Sequence, residues 1–146
     1  MDDKVIITCA VTGGMTVPAQ SSAIPITVEQ IVEDGVAAAE AGASVLHIHV
    51  REESTGRPVA DLELFDRVLT QLKERTDAVL QPTTGGGRHM TIIERAAIVP
   101  RFRPEMATLN VGSFNFGLFT IAQRDLDFQP WELEYLEGTR DYIFKN

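Results

Sequence analysis

Two histidines occupy alternate positions in one apolar segment, the stretch SVLHIHVREE over residues 44–53. Side chains alternate between the two faces of a β-strand, so His47 and His49 should project from the same face. Neutral imidazole is a common zinc ligand, and a catalytic zinc ion generally takes three protein ligands and keeps one open position. The spacing therefore predicts half of a metal site, whose other ligands come from elsewhere. A pair of hydrogen-bonded core histidines would give the same pattern.

Further polar residues accompany the other apolar segments of the chain. Thr12 follows the first segment, Thr83 ends the third, and Thr108 and Asn110 lie in the fourth. Parallel strands bring their carboxyl ends to one edge of a sheet, where α/β proteins bind their substrates. The segment TTGGG, residues 83–87, lies after a buried strand and before a capped helix, where backbone N–H groups could bind a ligand. An ordinary glycine turn and ordinary strand ends are the structural alternative for these residues.

The elements that must position these residues alternate regularly along the chain. Strands are predicted near residues 4–11, 44–50, 78–83 and 106–111. Helices are predicted to follow the capping residues Thr27, Asp61 and Thr91, and a last helix is predicted over residues 131–146. Near-continuous apolar strands in the order βαβαβαβ are typical of a parallel sheet covered by helices.

Four βα units form either an open doubly wound sheet or half of an eight-stranded barrel. A complete barrel takes roughly 250 residues, and this chain has 146. A barrel interior would bring His47 and His49 together with groups from distant strands, which favours the barrel. We therefore expect an α/β fold with parallel strands, the N-terminal half of a (β/α)8 TIM barrel. Residues 1–146 would form a single domain, an incomplete barrel and hence a fragment.

The composition limits the partners and the location of the protein. A formal net charge of −8 argues against nucleic acid or an anionic membrane as a partner, because both need a basic surface. Cys9 is the only cysteine, so no internal disulfide can form and a reducing compartment is expected. The start, MDDKVIITCAV, lacks the pattern of a signal peptide, and we expect a cytoplasmic protein. Arg51 is interpreted either as a surface charge or as a contact to the phosphates of a CoA ligand.

Three motifs in this order resemble one enzyme family. The segments LHIHVRE, QPTTGGG and PEMATLNVGSFNFG, after the opening IITCAVTGG, are similar to those of the β-keto acid cleavage enzymes, the group that includes 3-keto-5-aminohexanoate cleavage enzyme. The resemblance is close up to about Gly117. It implies a zinc-dependent barrel that condenses a β-keto acid with acetyl-CoA and releases acetoacetate and a new CoA thioester. It also implies small-molecule partners and a homo-oligomer.

The resemblance assigns roles to individual residues. It implies zinc ligands at His47 and His49 and a catalytic role for Thr108. Substrate binding is implied for Thr83, Gly86, Thr108 and Asn110. Met15 stands where the amino-substrate enzyme has a glutamate, which argues against an amino substrate. The third zinc ligand, a glutamate, and the catalytic Asp and Arg of the family come from a C-terminal half that lies outside this chain, so the 146-residue piece alone is expected to be inactive.

Two other interpretations remain open at this point. A His-x-His strand in a barrel is also typical of the amidohydrolases, which are metal-dependent hydrolases. Their histidine pair sits on the first strand, whereas a full βα unit precedes His47 here. The other alternative is a truncated half-barrel without activity. The sequence leaves the β-keto acid, the bound metal and the oligomeric state undetermined.

Overall fold

The computed structural model describes residues 4–113, 115 and 117–145 of the chain. Its strands are β1 (Thr8–Ala10), β2 (Val45–Ile48), β3 (Val50–Arg51), β4 (Pro58–Val59) and β5 (Val79–Pro82). Its α-helices are α1 (Val28–Glu40), α2 (Leu62–Arg75), α3 (Ile92–Ala96), α4 (Ile98–Phe102) and α5 (Pro130–Glu137). Short 3-10 helices cover Pro18–Gln20 and Ile121–Gln123. Phe114 and Phe116 of the predicted GSFNFG motif and Asn146 of the predicted last helix lie outside the described residues.

The main sheet is parallel and has the strand order β1-β2-β5. The register places His47 opposite Ala10 on one side and Gln81 on the other. The predicted parallel arrangement is thus confirmed for the first three predicted strands. The segment TGRPVA, residues 55–60, contributes β4 to a short antiparallel pair with β3. Pro58 is compatible with such a pair because it stands in an edge strand, where its missing N–H group is not needed.

The fourth predicted strand is wrong, because residues 106–111 form no strand in the structure. Thr84, which follows β5, holds this segment through hydrogen bonds to Thr108. Its backbone N–H donates to Thr108 Oγ1 over 2.8 Å, and its hydroxyl donates to the Thr108 carbonyl oxygen over 2.7 Å. These side-chain bonds replace a backbone ladder. Leu109 and Val111 remain 85% and 81% exposed, so their apolar side chains do not join the core.

The helix starts follow the predicted caps. The Thr27 hydroxyl accepts from the Gln30 backbone N–H over 3.2 Å, and Gln30 Oε1 accepts from the Thr27 N–H over 3.1 Å. Asp61 Oδ1 accepts from two backbone N–H groups in the first turn of α2. Thr91 and Glu94 form the same reciprocal box at the start of α3. These three predictions are confirmed.

The main core lies between the outer face of the sheet and helices α1 and α2. Leu46 and Ile48 are fully buried in it, and they pack in one cluster with apolar residues of both helices. A Cβ atom on Gly35 would lie 2.7 Å from Leu72 Cδ2, so the glycine permits the close approach of α1 to α2. Because Leu46 and Ile48 face the helices, the side chains between them face the opposite side of the sheet. No described helix is long and apolar enough to cross a bilayer.

A second cluster attaches α5 to the segment that follows β1. Val17, Tyr135 and Leu136 are buried together there. The Glu132 carboxylate is fully buried and accepts from the Ala19 N–H over 2.9 Å. The last helix ends at Glu137, earlier than predicted, because a glycine and a turn follow it. Leu133 of the same helix is 40% exposed and does not belong to this cluster.

Candidate active site

The two histidines lie side by side at the carboxyl end of β2. Their Nε2 atoms are 3.0 Å apart, and the rings are nearly perpendicular with centroids separated by 4.9 Å. Both rings lie on the face of the sheet that α1 and α2 do not cover, as strand alternation predicts. The structure thus supplies two imidazole nitrogens that converge on one point.

Gln81 on β5 fixes the orientation of the first histidine. Its side-chain oxygen lies 3.1 Å from His47 Nδ1, and an amide oxygen can only accept. Nδ1 of His47 therefore carries the proton, and the Nε2 lone pair points toward His49. The sequence analysis missed Gln81. The signal that could have found it is the register, because residues paired across parallel strands project to the same face.

The surroundings keep both rings neutral. Burial lowers the pKa of His47 below its usual value. Burial, followed by the charges of His47 and Arg51, lowers the pKa of His49 to about 3. Desolvation disfavours the charged imidazolium, so at neutral pH each ring offers a lone pair. Neutral imidazole is the form that binds metal ions.

All six predicted site residues line one cavity of about 660 Å³: His47, His49, Thr83, Gly86, Thr108 and Asn110. Their roles stay predictions. The sequence analysis had no signal for the residues that close the cavity on its other sides, since several belong to loops and to the chain after the last strand: Gly13, Gly14, Thr16, Gly85, Leu118 and Phe144. The cavity thus combines the carboxyl ends of three strands with a wall from the last quarter of the chain.

The two predicted threonines differ in how they are held. Thr83 is buried, and its hydroxyl oxygen accepts from the Gly85 N–H over 2.9 Å, which leaves its own proton available to a ligand. The Thr108 oxygen accepts from the Thr84 N–H and also lies 3.0 Å from the Thr84 hydroxyl. Asn110, two residues on, is exposed. Thr83 is therefore the better oriented donor of the set.

Arg51 is neither of the two alternatives considered for it. Its side chain is 1% exposed, and its guanidinium group donates to the Thr12 hydroxyl over 2.7 Å and to the Gly13 carbonyl over 2.9 Å. A surface charge or a free phosphate contact would be exposed. Strand alternation could have indicated the burial of Arg51, because it places Arg51 on the same face as His47 and His49.

The histidine pair fits two positions of a zinc site. Zn–N bonds of about 2.0–2.1 Å in tetrahedral geometry place two nitrogen ligands about 3.3 Å apart, close to the 3.0 Å between the Nε2 atoms. Within the described ranges, no group of three or more His, Cys, Asp or Glu residues is placed to hold a metal ion. The described chain thus offers two ligands and not a complete set.

The sequence is similar to characterised enzymes along its whole length. It is 44% identical over 144 residues to 3,5-dioxohexanoate:acetyl-CoA acetone transferase of Paraburkholderia graminis. This match covers 98% of this chain and 46% of that protein. It is also 44% identical over 117 residues to 3-keto-5-aminohexanoate cleavage enzyme of Acetoanaerobium sticklandii, covering 79% of this chain and 42% of that protein. The chain thus spans about half the length of these relatives.

A solved structure has the same fold. The apo structure of ObcA superposes with a TM-score of 0.58 at 24% identity, and the match covers 78% of this chain and 27% of that one. The parallel order of the main sheet and this partial coverage agree with the N-terminal half of a (β/α)8 barrel. The family model of the beta-keto acid cleavage enzymes matches residues 4–146. By this match and by its 44% identity to the Paraburkholderia graminis enzyme, the chain belongs to the β-keto acid cleavage enzyme family.

Proposed function

We propose that the protein containing this chain cleaves a β-keto acid with acetyl-CoA. The bond between the ketone carbon and the carbon that bears the carboxylate breaks. The acyl group becomes a new CoA thioester, and the remaining two-carbon unit joins the acetyl group as acetoacetate. The observation that carries the proposal is the pair of converging imidazoles in a cavity at the strand ends. The high identity to an acetyl-CoA-dependent relative supports it.

We propose that His47 and His49 hold zinc through their Nε2 atoms. When bound, zinc would supply a Lewis acid that polarises the oxygens of the keto acid. Gln81 keeps the proton of His47 on Nδ1, so that Nε2 stays a ligand. The missing third ligand lies outside the described residues. We therefore also propose that the 146-residue chain is an incomplete domain without turnover of its own.

The threonine and glycine residues that line the cavity together with the histidines suit the carboxylate of the substrate. Thr83 offers a hydroxyl proton on a buried side chain whose oxygen is already held by the Gly85 N–H. A side chain on Gly86 would meet Met90 and Arg95, so the backbone itself forms that part of the wall. Thr108 and Asn110 line the same cavity from the segment after α4. Donors held in place before the substrate arrives stabilise an anion without reorganisation.

The rest of the cavity supports a substrate whose distal end is uncharged. Among the described residues that line it, none carries a carboxylate, ammonium or guanidinium group. Met15, Leu118 and Phe144 give this wall an apolar surface. A distal ammonium group would lose water there without gaining an opposite charge, which is costly. We propose a neutral distal group, as in 3,5-dioxohexanoate, rather than the amine of 3-keto-5-aminohexanoate.

The test is acetoacetate formation by the full gene product with acetyl-CoA and a panel of neutral, amino and dicarboxylic β-keto acids. We expect the neutral substrates to give the highest kcat/KM. His47→Ala and His49→Ala should each lose both zinc and turnover, whereas His89→Ala, a histidine outside the cavity, should keep both. Full zinc and full activity in both cavity variants would contradict the metal role. Turnover that needs no acetyl-CoA would favour a metal-dependent hydrolase instead.

A further inference from the structure

We propose that Arg51 is a positioning residue that fixes the loop of residues 12–16, called the 12–16 loop, as the wall of the cavity beside His49. The proposal rests on the proposed function of that cavity. In this proposal the buried guanidinium group of Arg51 supports substrate binding. It neither binds the metal nor takes part in catalysis.

Oxygen atoms of the 12–16 loop surround the guanidinium group of Arg51 and accept hydrogen bonds from it. Nε donates to the Thr12 hydroxyl over 2.7 Å, and Nη2 donates to the carbonyls of Gly13 and Thr16 over 2.9 and 3.1 Å. Nη1 donates to the Gly56 carbonyl over 2.7 Å, which ties the same group to the β3–β4 connection. One planar group thus sets the positions of five backbone or side-chain oxygens of the loop at once.

These partners are all neutral oxygens. None of the five ion pairs among the described residues includes Arg51, although its side chain is 1% exposed. Burying a cation without a carboxylate is unfavourable unless its donors are satisfied, and here the loop oxygens satisfy them. The dependence is mutual, because the inward-facing carbonyls would be left without donors if the guanidinium group were removed.

The 12–16 loop touches the histidine site directly. A Cβ atom on Gly14 would lie 2.9 Å from Cε1 and Nδ1 of the His49 ring, so the backbone there lies against the imidazole. Tyr135 of α5 donates from its hydroxyl to the Gly14 carbonyl over 2.9 Å. The loop is therefore held by Arg51 from β3 and by Tyr135 from the last helix. Its residues from Gly13 to Thr16 line the cavity.

The experiment compares Arg51→Lys, Thr12→Val and Tyr135→Phe in the zinc-loaded full gene product. Lysine keeps the charge but cannot donate to all the loop oxygens from one planar group. We expect each variant to keep its zinc, and we expect KM for the β-keto acid to rise about tenfold in Arg51→Lys while kcat changes less. Thr12→Ser keeps the hydroxyl, so its KM should equal that of the wild type, in contrast to the raised KM of Thr12→Val. Arg75→Lys, an exposed arginine paired with Glu33, is the matched control.

The amide exchange of the 12–16 loop, followed by hydrogen–deuterium mass spectrometry, gives a readout that needs no activity. Exchange should become faster in Arg51→Lys and Tyr135→Phe and should stay unchanged in Arg75→Lys. Unchanged KM together with unchanged exchange would overturn the proposal. If Arg51→Lys does not fold, Thr12→Val decides by KM and by exchange, because it removes the hydroxyl that accepts from Arg51 Nε and leaves the guanidinium group in place. An inactive wild-type protein would refute the proposed function, and the exchange data would still test the positioning role.

Discussion

The two imidazoles of the site owe their state to residues that a metal-ligand motif does not contain. His47 is oriented by Gln81, whose oxygen lies 3.1 Å from Nδ1. His49 is kept neutral by burial first and by neighbouring charge second, which lowers its pKa to about 3. Since ligand orientation depends on a hydrogen bond to the other ring nitrogen, Gln81 should influence metal affinity without touching the metal.

Gln81→Leu should weaken zinc binding by about 10- to 100-fold, because the acceptor that fixes the Nδ1 proton of His47 is lost. Gln81→Glu keeps an acceptor at the same place and is the matched control. Competition with a chelator measures the affinity in the full gene product. If Gln81→Leu binds zinc as tightly as the wild type, the orienting hydrogen bond has no role in the site.

Single residues were predictable where the pattern is local. The alternation around Ile48 was enough to place both histidines on one face. Gln81 was not predictable in the same way, because its role depends on the register between two strands more than 30 residues apart. Arg51 was misjudged because a charged residue is seldom buried, and its acceptors belong to a loop whose path the sequence does not reveal.

At the scale of elements, the helices were easier to predict than the strands. The caps at Thr27, Asp61 and Thr91 use partners within four residues, so the sequence contains the whole interaction. A strand exists only if another strand pairs with it. The segment 106–111 has a suitable apolar pattern, yet Thr84 binds it through side-chain hydrogen bonds and no ladder forms.

The packing of α1 on α2 gives a stability prediction. Leu72 is fully buried and faces Gly35 of the other helix, so Leu72→Ala should lower the free energy of unfolding by about 2–5 kcal/mol through lost burial and a new cavity. Leu64→Ala is the control, since Leu64 on the same helix is only half-buried and should cost less. Urea unfolding of the full gene product measures both. Equal losses would mean that α1 and α2 are not closely packed at Gly35.

At the scale of the whole molecule, the described half-barrel has large apolar side chains at the margins of its sheet. Val5 and Ile6 before β1 are 77% and 78% exposed, and Leu109 and Val111 beyond β5 are 85% and 81% exposed. Exposed strand edges with apolar side chains promote association between chains. The relatives are about twice as long as this chain, and we expect their additional strands to cover such margins.

The 146-residue polypeptide produced by itself should therefore associate, bind zinc weakly and show no turnover. Light scattering after size-exclusion chromatography measures the association. Ile6→Lys should reduce it, because a charge at the β1 margin opposes pairing between chains. Ile93→Lys changes the charge equally at a side chain that is 83% exposed on α3 and should have little effect. A monodisperse monomer that melts cooperatively would mean that the margins of the sheet are stable in water, and that this half of the barrel folds as a complete unit.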